Sequence, residues 1–401
     1  MLSRRVPRTS EPNAWARLLE QRRESGARLL DLSEANPTRV GLSGAGEAEL
    51  AALADPAGAR YEPDPRGSRV AREAVSGYYA ARGITVPPEQ VVLTAGTSEA
   101  YAHLFRLLCD PGDEVLAPRP GYPLFEPLAA LEGVGLGAYG LAYDGRWHLD
   151  RDSLERAIGT RTRLTIAVEP NHPTGTCLSA EDRAFVATLC GRHGLALVSD
   201  EVFGDFPWPD IGTCEARPPG PRARTTLPSL LDGAVVPTFV LSGLSKVCGM
   251  PQMKLSWIAV AGPERERDRA IAGLEWIADL FLSVSTPVQA ALPRLLAARH
   301  AFQARVRERI AGNLALLARS LEACPELDLL RAEGGWVATL RLPRRRSEEE
   351  WVLGLLRRDV VVHPGHFYDF ADEAYVVVSL IVEPRVFAEG LARMESLIAE
   401  I

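Results

Sequence analysis

The predicted fold is decided by residues 162–206, which read TRLTIAVEPNHPTGTCLSAEDRAFVATLCGRHGLALVSDEVFGDF. An apolar run opens this segment, a stretch with helical spacing follows, and a second apolar run ends at Asp200. Short apolar runs that alternate with helical patterns are typical of units in which a helix joins two parallel strands. The segment therefore predicts two strands of a mostly parallel sheet, with the polar end of one strand at Asp200.

The same alternation continues on both sides of this segment, in QVVLTAG, DEVLAPRPGY, TFVLSGLSK and KLSWIAVAG. We predict an α/β fold whose large domain covers residues 46–290, with a smaller α+β domain built from residues 1–45, which include an N-terminal arm, and 291–401. Helical spacing covers about residues 262–321, and we expect breaks at Pro287 and Pro293. Residues 208–228 are rich in Pro, Gly and Arg, which predicts an exposed loop.

Composition and charge exclude several classes of protein. The 401 residues are 46% hydrophobic and 24% charged, as in ordinary globular proteins, and the net charge of -7 argues against a nucleic-acid or anionic-membrane surface. No apolar run approaches a bilayer span, and no secretory signal is visible. The six cysteines are scattered without a C-x-x-C pair, so neither a disulfide framework nor a metal site is expected. We expect a cytoplasmic protein that binds no metal.

The chain contains only two lysines, Lys246 and Lys254, and its other basic residues are arginines. Arginine stays charged, whereas a lysine amine can lose its proton and condense with an aldehyde. In a chain that uses Arg so heavily, a Lys that is kept indicates a site where an amine is needed.

Polar groups at other predicted strand ends indicate one cofactor when they are taken together. A carboxylate at Asp200, after a buried strand, calls for a cationic partner such as a protonated pyridine nitrogen. The segment TAGTSEA opens a helix, where backbone N–H groups and the hydroxyls of Thr97 and Ser98 can hold a phosphate. Tyr122 in RPGYP offers an aromatic face for a flat ring. Each feature alone has a structural explanation, but the set indicates a phosphorylated pyridine aldehyde.

With these motifs the sequence resembles the class I/II, aspartate/tyrosine aminotransferase-like family of fold-type I pyridoxal-phosphate enzymes. The resemblance extends from LDLSEANPTRVGL to YVVVSLIV and implies a large sheet of about seven strands. It implies that Lys246 forms a Schiff base with pyridoxal 5'-phosphate, that Asp200 holds the pyridine nitrogen and that Tyr122 stacks on the ring. It further implies the following phosphate-binding residues: Gly96, Thr97, Ser98, Ser245 and Lys254. Tyr61 in YEPDPRG resembles the residue that reaches the phosphate of a neighbouring subunit, so a homodimer is implied.

The sequence departs from the family pattern around the cofactor. His172 stands where the family has the Asn that hydrogen-bonds the ring oxygen, and Asn171 lies one residue earlier. Phe203 replaces the Tyr of D-E-x-Y that reaches the same oxygen. His can still donate a hydrogen bond, but Phe cannot. Lys254 replaces an Arg, which keeps the charge but loses the two-pronged contact with phosphate, and Gly243 replaces a Ser.

A further departure concerns the substrate. Val377 in YVVVS takes the place of the Arg that holds the α-carboxylate in the family. Either another residue holds that carboxylate, or the substrate is not an ordinary α-amino acid. Arg39, beside Asn36 in the N-terminal loop, is our candidate replacement, and the sequence leaves an exposed loop Arg equally open. His366 and Tyr368 in HPGHFYDF could also face the site, but we favour structural roles for both.

We predict an aminotransferase that moves an amino group between an amino acid, or a related amine, and a 2-oxo acid. Other reactions of the same cofactor stay open, among them C–S or β-lysis and decarboxylation, as does a non-catalytic ligand-sensing protein. The retained Lys246 and Asp200 favour an enzyme over the sensing protein. Gly135, Gly137 and Gly140 fit G-x-G-x-x-G but do not follow a strand and open a helix, so a dinucleotide site is rejected.

Overall fold

The computed structural model describes residues 3, 5–6, 11–209, 226–371 and 374–400. Most of the loop predicted at 208–228, including Cys214, lies outside the described residues.

The strands of the described residues fall into three sheets. They are β1 (Leu30–Asp31), β2 (Val91–Thr94), β3 (Glu114–Arg119), β4 (Gly135–Tyr143), β5 (Trp147–Leu149), β6 (Thr162–Val168), β7 (Ala196–Asp200), β8 (Thr238–Gly243), β9 (Ser256–Ala261), β10 (Asp328–Leu329), β11 (Val337–Arg341), β12 (Val360–Val361), β13 (His363–Pro364) and β14 (Tyr375–Ser379).

The helices flank these sheets. They are α1 (Ala14–Glu24), α2 (Glu47–Ala51), α3 (Arg69–Ala80), α4 (Thr97–Leu108), α5 (Phe125–Glu132), α6 (Arg151–Ala157), α7 (Ala180–His193), α8 (Leu244–Val247), α9 (Glu264–Asp279), α10 (Thr286–Ala297), α11 (Arg299–Ala323), α12 (Glu348–Arg357) and α13 (Pro384–Ala399). Short 3-10 turns cover Ala52–Ala54, Pro56–Ala59, Pro88–Gln90, Pro251–Met253 and Gly365–Tyr368.

The large sheet has the strand order β2-β9-β8-β7-β6-β3-β4-β5. Strands β4, β3, β6, β7 and β8 are parallel to one another, while β9 and β5 run antiparallel to their neighbours. The predicted α/β fold with a mostly parallel sheet is confirmed. The short β5 adds an eighth strand to the seven that we expected, because the chain turns back after β4.

The strands of the large sheet are buried on both faces. Val198 of β7 belongs to one apolar core with α4 and α9, while its neighbour Leu197 belongs to another core with α3, α7 and α10. Successive side chains on a strand point to opposite faces, so helices on both sides account for continuous apolar runs in the sequence. Because the parallel strands run in the same direction, their carboxyl ends lie at one edge of the sheet. At this edge β7 ends at Asp200, and β8 ends shortly before Lys246.

A second, antiparallel sheet has the order β10-β11-β14-β13 and packs with α11, α12 and α13 around a third core. This core also contains Leu30 and Leu32, and β1 pairs with β12. The first part of the chain is thereby joined to its last part. The domain boundaries at residues 46 and 290 stay a prediction.

The structure contradicts the break expected at Pro293 and gives the position of Pro287 more closely. Helix α10 continues through Pro293 instead of breaking there, since Leu292, Leu295 and Leu296 are buried and their packing outweighs the lost hydrogen bond. Pro287 lies in the first turn of α10, where no N–H is needed. The glycines of GLGAYG all lie within β4, so the rejected dinucleotide loop is absent from this described segment.

Candidate active site

Asp200 lies at the carboxyl end of β7 and is 6% exposed. Its carboxylate accepts a hydrogen bond from the Tyr101 hydroxyl at 3.0 Å and another from the Val202 N–H at 3.2 Å. Burial raises the pKa of Asp200 to about 6, although both hydrogen bonds oppose this shift. A buried carboxylate of this kind favours a cationic partner in the cleft.

Lys246 belongs to the short helix α8, which follows β8, the neighbour of β7. Its Nζ lies 5.0 Å from the centre of the Trp336 ring and 5.4 Å from that of Phe203. Burial lowers the pKa of Lys246, while the nearby Asp200 opposes this effect. The structure thus places an amine with a lowered pKa near the carboxylate of Asp200.

Aromatic side chains form one wall beside these two groups. The His172 ring stacks on Phe203 with ring centres 6.0 Å apart, and Tyr122 meets His172 edge-on at 6.2 Å. Tyr368 also meets His172 edge-on, with ring centres 5.3 Å apart. Burial, Lys246 and His363 lower the pKa of His172 to about 3, so its imidazole is uncharged at neutral pH. The wall can therefore hold a flat ring and donate a hydrogen bond without adding charge.

Asn171 does not take the place of the family Asn. Its side-chain amide donates to the Pro120 carbonyl at 3.0 Å and to the Thr174 hydroxyl at 2.9 Å. These bonds join the loop after β6 to the loop after β3. Asn171 therefore fixes the loop, while the partly exposed His172 meets Tyr122 and Phe203.

The predicted phosphate end lies where β2 leads into α4. Thr97 is the first residue of α4, and a Cβ built on Gly96 would lie 3.4 Å from Lys254 Nζ. The carboxylate of Glu99 accepts the Ala95 N–H at 2.6 Å. The structure brings the ammonium of Lys254 to the start of α4, whose N-terminus and free N–H groups favour an anion.

Gly243 has a packing explanation. A Cβ at this position would lie 2.2 Å from the Ser256 hydroxyl oxygen, far inside van der Waals contact. The pairing of Gly243 with Ser256 across β8 and β9 leaves no space for a side chain. Ser245 stands next to Lys246 and is partly exposed.

The contacts found for the predicted substrate residues, Asn36 and Arg39, lie within their own loop. The Arg39 side chain is 73% exposed and pairs with Glu34 at 3.4 Å. Asn36 accepts hydrogen bonds from the N–H and the hydroxyl of Thr38, which is a local turn. Tyr61 is 81% exposed. Neither Arg39 nor Tyr61 is brought against Lys246 by any described contact.

Sequence reasoning missed Trp336 and undervalued Tyr368. Trp336 precedes β11 and packs against Lys246 and Phe203. Two glycines, Gly334 and Gly335, come directly before it in the sequence. A Cβ at Gly334 would lie 2.8 Å from the Phe206 carbonyl oxygen, so the GGW sequence was a usable signal of close approach. His366 instead faces Glu348, with its Nδ1 2.8 Å from a carboxylate oxygen, which fits a structural role.

This arrangement matches a known family. The model of "Aminotransferase class I and II" matches residues 28–378. The glutamate-pyruvate aminotransferase AlaA of Escherichia coli K12 is 28% identical over 274 residues, which cover 68% of this chain but only 64% of the length of that relative. The S-alkyl-thiohydroximate lyase SUR1 of Arabidopsis thaliana is 29% identical over 216 residues, 52% of this chain and 43% of its own.

A solved structure has the same fold. The alanine aminotransferase from Pyrococcus furiosus superposes with a TM-score of 0.83 at 20% identity, covering 98% of this chain and 100% of its own. The family depends on pyridoxal phosphate, and the strand-end Lys246 and Asp200, the aromatic wall and the start of α4 are consistent with that cofactor. The chain belongs to the class I and II aminotransferase family.

Proposed function

We propose that this protein is a pyridoxal-phosphate-dependent aminotransferase that moves an amino group between an amino compound and a 2-oxo acid. The observation that carries the proposal is the placement of Lys246 and Asp200 at the ends of two neighbouring parallel strands. Both are largely withdrawn from water, and each affects the pKa of the other. An amine and a carboxylate in this arrangement suit a cofactor that carries an aldehyde and a basic ring nitrogen.

The residues around this pair fit the parts of pyridoxal phosphate. Asp200 would hold the ring nitrogen, Tyr122 would stack on the ring, and His172 would donate to the ring oxygen. The phosphate would be held by groups at the start of α4 and around Lys246: Gly96, Thr97, Ser98, Ser245 and Lys254. Phe203 would contact the ring edge. When bound, pyridoxal phosphate supplies a ring that accepts the electron pair of the bond broken at the amino carbon.

The side chains of the protein would carry the proton movements. Lys246, with its lowered pKa, would act as a neutral amine that takes up a proton from the amino carbon of the substrate and donates it again later in the reaction. Asp200, buried and hydrogen-bonded by Tyr101, would keep a proton on the ring nitrogen. Phe203 and Trp336 pack around Lys246 and would exclude water from its amine.

A second candidate is a lyase reaction, since one relative is named an S-alkyl-thiohydroximate lyase. That relative matches 52% of this chain, whereas the E. coli aminotransferase matches 68%. The two reactions differ in their products, because only a lyase of that kind releases a sulfur fragment. Transamination is therefore our first proposal.

A homodimer belongs to the same proposal. Tyr61 is exposed. The end of α9 also exposes large apolar side chains, with Trp276 70%, Leu280 66% and Phe281 51% exposed. Ser283, two residues after Phe281, donates to the Glu99 carboxylate in the first turn of α4 at 2.6 Å, so this surface borders the predicted phosphate site. An exposed apolar patch of this kind is typical of a subunit interface. A second copy of the chain would cover it.

We also infer a cytoplasmic location. The five cysteines that the structure describes are free thiols, which suits a reducing compartment. No helix among the described residues is long and apolar enough to cross a membrane.

Two lysines make the decisive experiment simple. The protein loaded with pyridoxal phosphate is reduced with borohydride and digested, and we expect the label on the peptide that carries Lys246. The Lys254→Arg variant should keep the label, and Lys246→Arg should lose it. A label confined to Lys254, or no label, would reject the proposed role of Lys246.

The reaction is tested with a screen of amino donors. Each donor is mixed with the loaded protein without an acceptor, and the absorbance of the cofactor, ammonia and sulfur products are measured. An aminotransferase converts the cofactor to its amine form and releases no ammonia. Continuous release of ammonia and a thiol would establish the lyase instead.

A further inference from the structure

One row of side chains on the smaller sheet faces the candidate active site. His363, Val377 and Thr339 lie directly opposite one another on β13, β14 and β11, so their side chains share a face. The Thr339 hydroxyl donates to the Pro173 carbonyl at 3.2 Å, and Pro173 follows His172. This face of the sheet is therefore turned toward the aromatic wall of the site.

The centre of this row carries no charge and is closed. Val377 is 1% exposed and packs with the buried Val337 and Tyr368. Phe367 and Phe370 pack against the same cluster. A carboxylate approaching this position would meet aromatic rings and a valine instead of a cation.

The polar groups at the end of the row are neutral. The Tyr368 hydroxyl lies 2.8 Å from His363 Nδ1, and the Tyr368 ring contacts His172. Burial lowers the pKa of His363, with Asp31 opposing, so His363 is uncharged at neutral pH, like His172. Two imidazoles and a phenol offer hydrogen-bond donors and acceptors but no fixed charge.

These groups belong to the same cleft as the reacting amine. Lys246 Nζ lies 5.4 Å from the Phe203 ring, His172 stacks on Phe203, and Tyr368 contacts His172. A substrate whose nitrogen lies at Lys246 would turn one substituent of its amino carbon toward Tyr368 and His363. A carboxylate there would lose its water without meeting an opposite charge, which is costly. A hydroxyl or amide would exchange its water for hydrogen bonds to His363 or Tyr368.

We propose that the amino substrate carries an uncharged hydrogen-bonding group, such as a hydroxymethyl or carboxamide, where an α-amino acid carries its carboxylate. This inference rests on the proposed function and concerns the amino donor, so the 2-oxo acid acceptor would turn its carboxylate away from this row. Arg39 is the competing explanation, because its guanidinium would supply the missing charge to a carboxylate. Its side chain is 73% exposed and already pairs with Glu34, which argues against that role.

The test measures binding and needs no turnover. Pyridoxal phosphate is condensed with alanine, alaninamide or alaninol and reduced, which gives three stable conjugates that differ only in the substituent. Each conjugate is titrated into the full chain, freed of cofactor, by calorimetry. We expect the alaninol and alaninamide conjugates to bind at least about tenfold more tightly than the alanine conjugate, a difference of about 1.4 kcal/mol.

Equal or tighter binding of the alanine conjugate would overturn the inference. If Arg39→Ala then removed that preference, Arg39 would be the carboxylate-binding residue. Failure of all three conjugates and of pyridoxal phosphate itself to bind would reject the proposed function, and this inference with it.

A charge placed on the row gives a second test. His363→Arg puts a cation beside Val377, and we expect the alanine conjugate to gain at least about tenfold in affinity relative to the alaninol conjugate. His366→Arg is the matched control, since His366 is exposed and faces Glu348 instead of the row. An unchanged order of affinities in a folded His363→Arg protein would contradict the proposal. If the variant does not fold, the order of affinities in the unmodified protein still tests the proposal.

Discussion

Gln303 donates a hydrogen bond from its side-chain amide to the backbone carbonyl of Val247 at 3.1 Å. Val247 follows Lys246, and Gln303 belongs to the long helix α11. The same amide nitrogen donates to the Asp205 carboxylate at 3.0 Å, and Tyr78 donates to that carboxylate at 3.1 Å. Through one buried side chain, α11 is bonded both to the helix that carries Lys246 and to the segment that follows Asp200.

We predict that Gln303→Leu lowers the free energy of unfolding by about 2 kcal/mol, because the buried Val247 carbonyl loses this donor and the buried Asp205 carboxylate keeps only the hydrogen bond from Tyr78. Pyridoxal phosphate should also dissociate faster, since α8 loses a restraint. Urea denaturation and the rate of cofactor loss measure the two effects. Gln21→Leu, at an exposed position of α1, is the control and should change neither. Unchanged stability of Gln303→Leu would show that the bonds contribute little.

Asp200→Asn should stabilise the cofactor-free protein at alkaline pH. Burial raises the pKa of Asp200 from 3.8 to about 6, so the folded protein holds this proton more tightly than the unfolded chain does. Ionisation of Asp200 therefore costs stability above about pH 6, and the cost disappears as the pH falls below 3.8. At pH 8 the variant should gain about 3 kcal/mol in the free energy of unfolding.

This gain should shrink steadily as the pH falls from 6 toward 3.8, and urea denaturation across that range measures it. The same variant should bind pyridoxal phosphate more weakly, because an amide cannot hold a protonated ring nitrogen with an opposite charge. Asp232→Asn, in an exposed turn before β8, serves as the control. A gain that did not vary with pH would refute the electrostatic explanation.

Phe203→Tyr should lower, by about one pH unit, the midpoint of the absorbance titration of the cofactor bound at Lys246. A tyrosine hydroxyl here would add a hydrogen bond to the ring oxygen and withdraw charge that stabilises a proton on the linking nitrogen. Phe203 is 8% exposed and stacks on His172, so the added oxygen would remain within the wall. Phe203→Leu, which adds no hydroxyl, should not lower the midpoint. An identical titration for Phe203→Tyr would remove this explanation.

Trp276→Glu should separate the proposed homodimer into single chains, because it places a charge in an exposed apolar patch that a second copy would bury. Analytical ultracentrifugation of the unmodified protein and the variant measures the mass directly. Val235→Glu is the matched control, since Val235 is 65% exposed and lies outside the patch. A single-chain mass for the unmodified protein would reject the homodimer.

The strand ends could be predicted because their signals are local. The buried run before Asp200 and the run before Lys246 each mark a strand, and parallel strands end at a common edge. The sheet and the pairing of these two groups follow from short segments alone. The course of α10 through Pro293 was missed because buried packing, which depends on the whole fold, outweighs a local preference.

The other wall of the site was harder to predict because it comes from the smaller sheet. Trp336, Tyr368 and His363 are far from Lys246 in sequence, and only the docking of the smaller sheet brings them to the cleft. In the sequence, an aromatic residue next to a predicted strand fits an ordinary core equally well. The loss of the family Arg at Val377 was visible in the sequence, but the rings that cover Val377 were not.

The two lysines also make the protein a convenient reagent. Lys254 is exposed and Lys246 lies between two aromatic rings, so amine-reactive dyes or surface linkers should attach to the Lys254 side chain and spare Lys246. Acylation of Lys254 would remove the positive charge beside Gly96 at the start of α4, so the labelled protein should bind pyridoxal phosphate more weakly than the unlabelled one. Lys254→Arg would provide a reference whose charge at this position the dye does not remove.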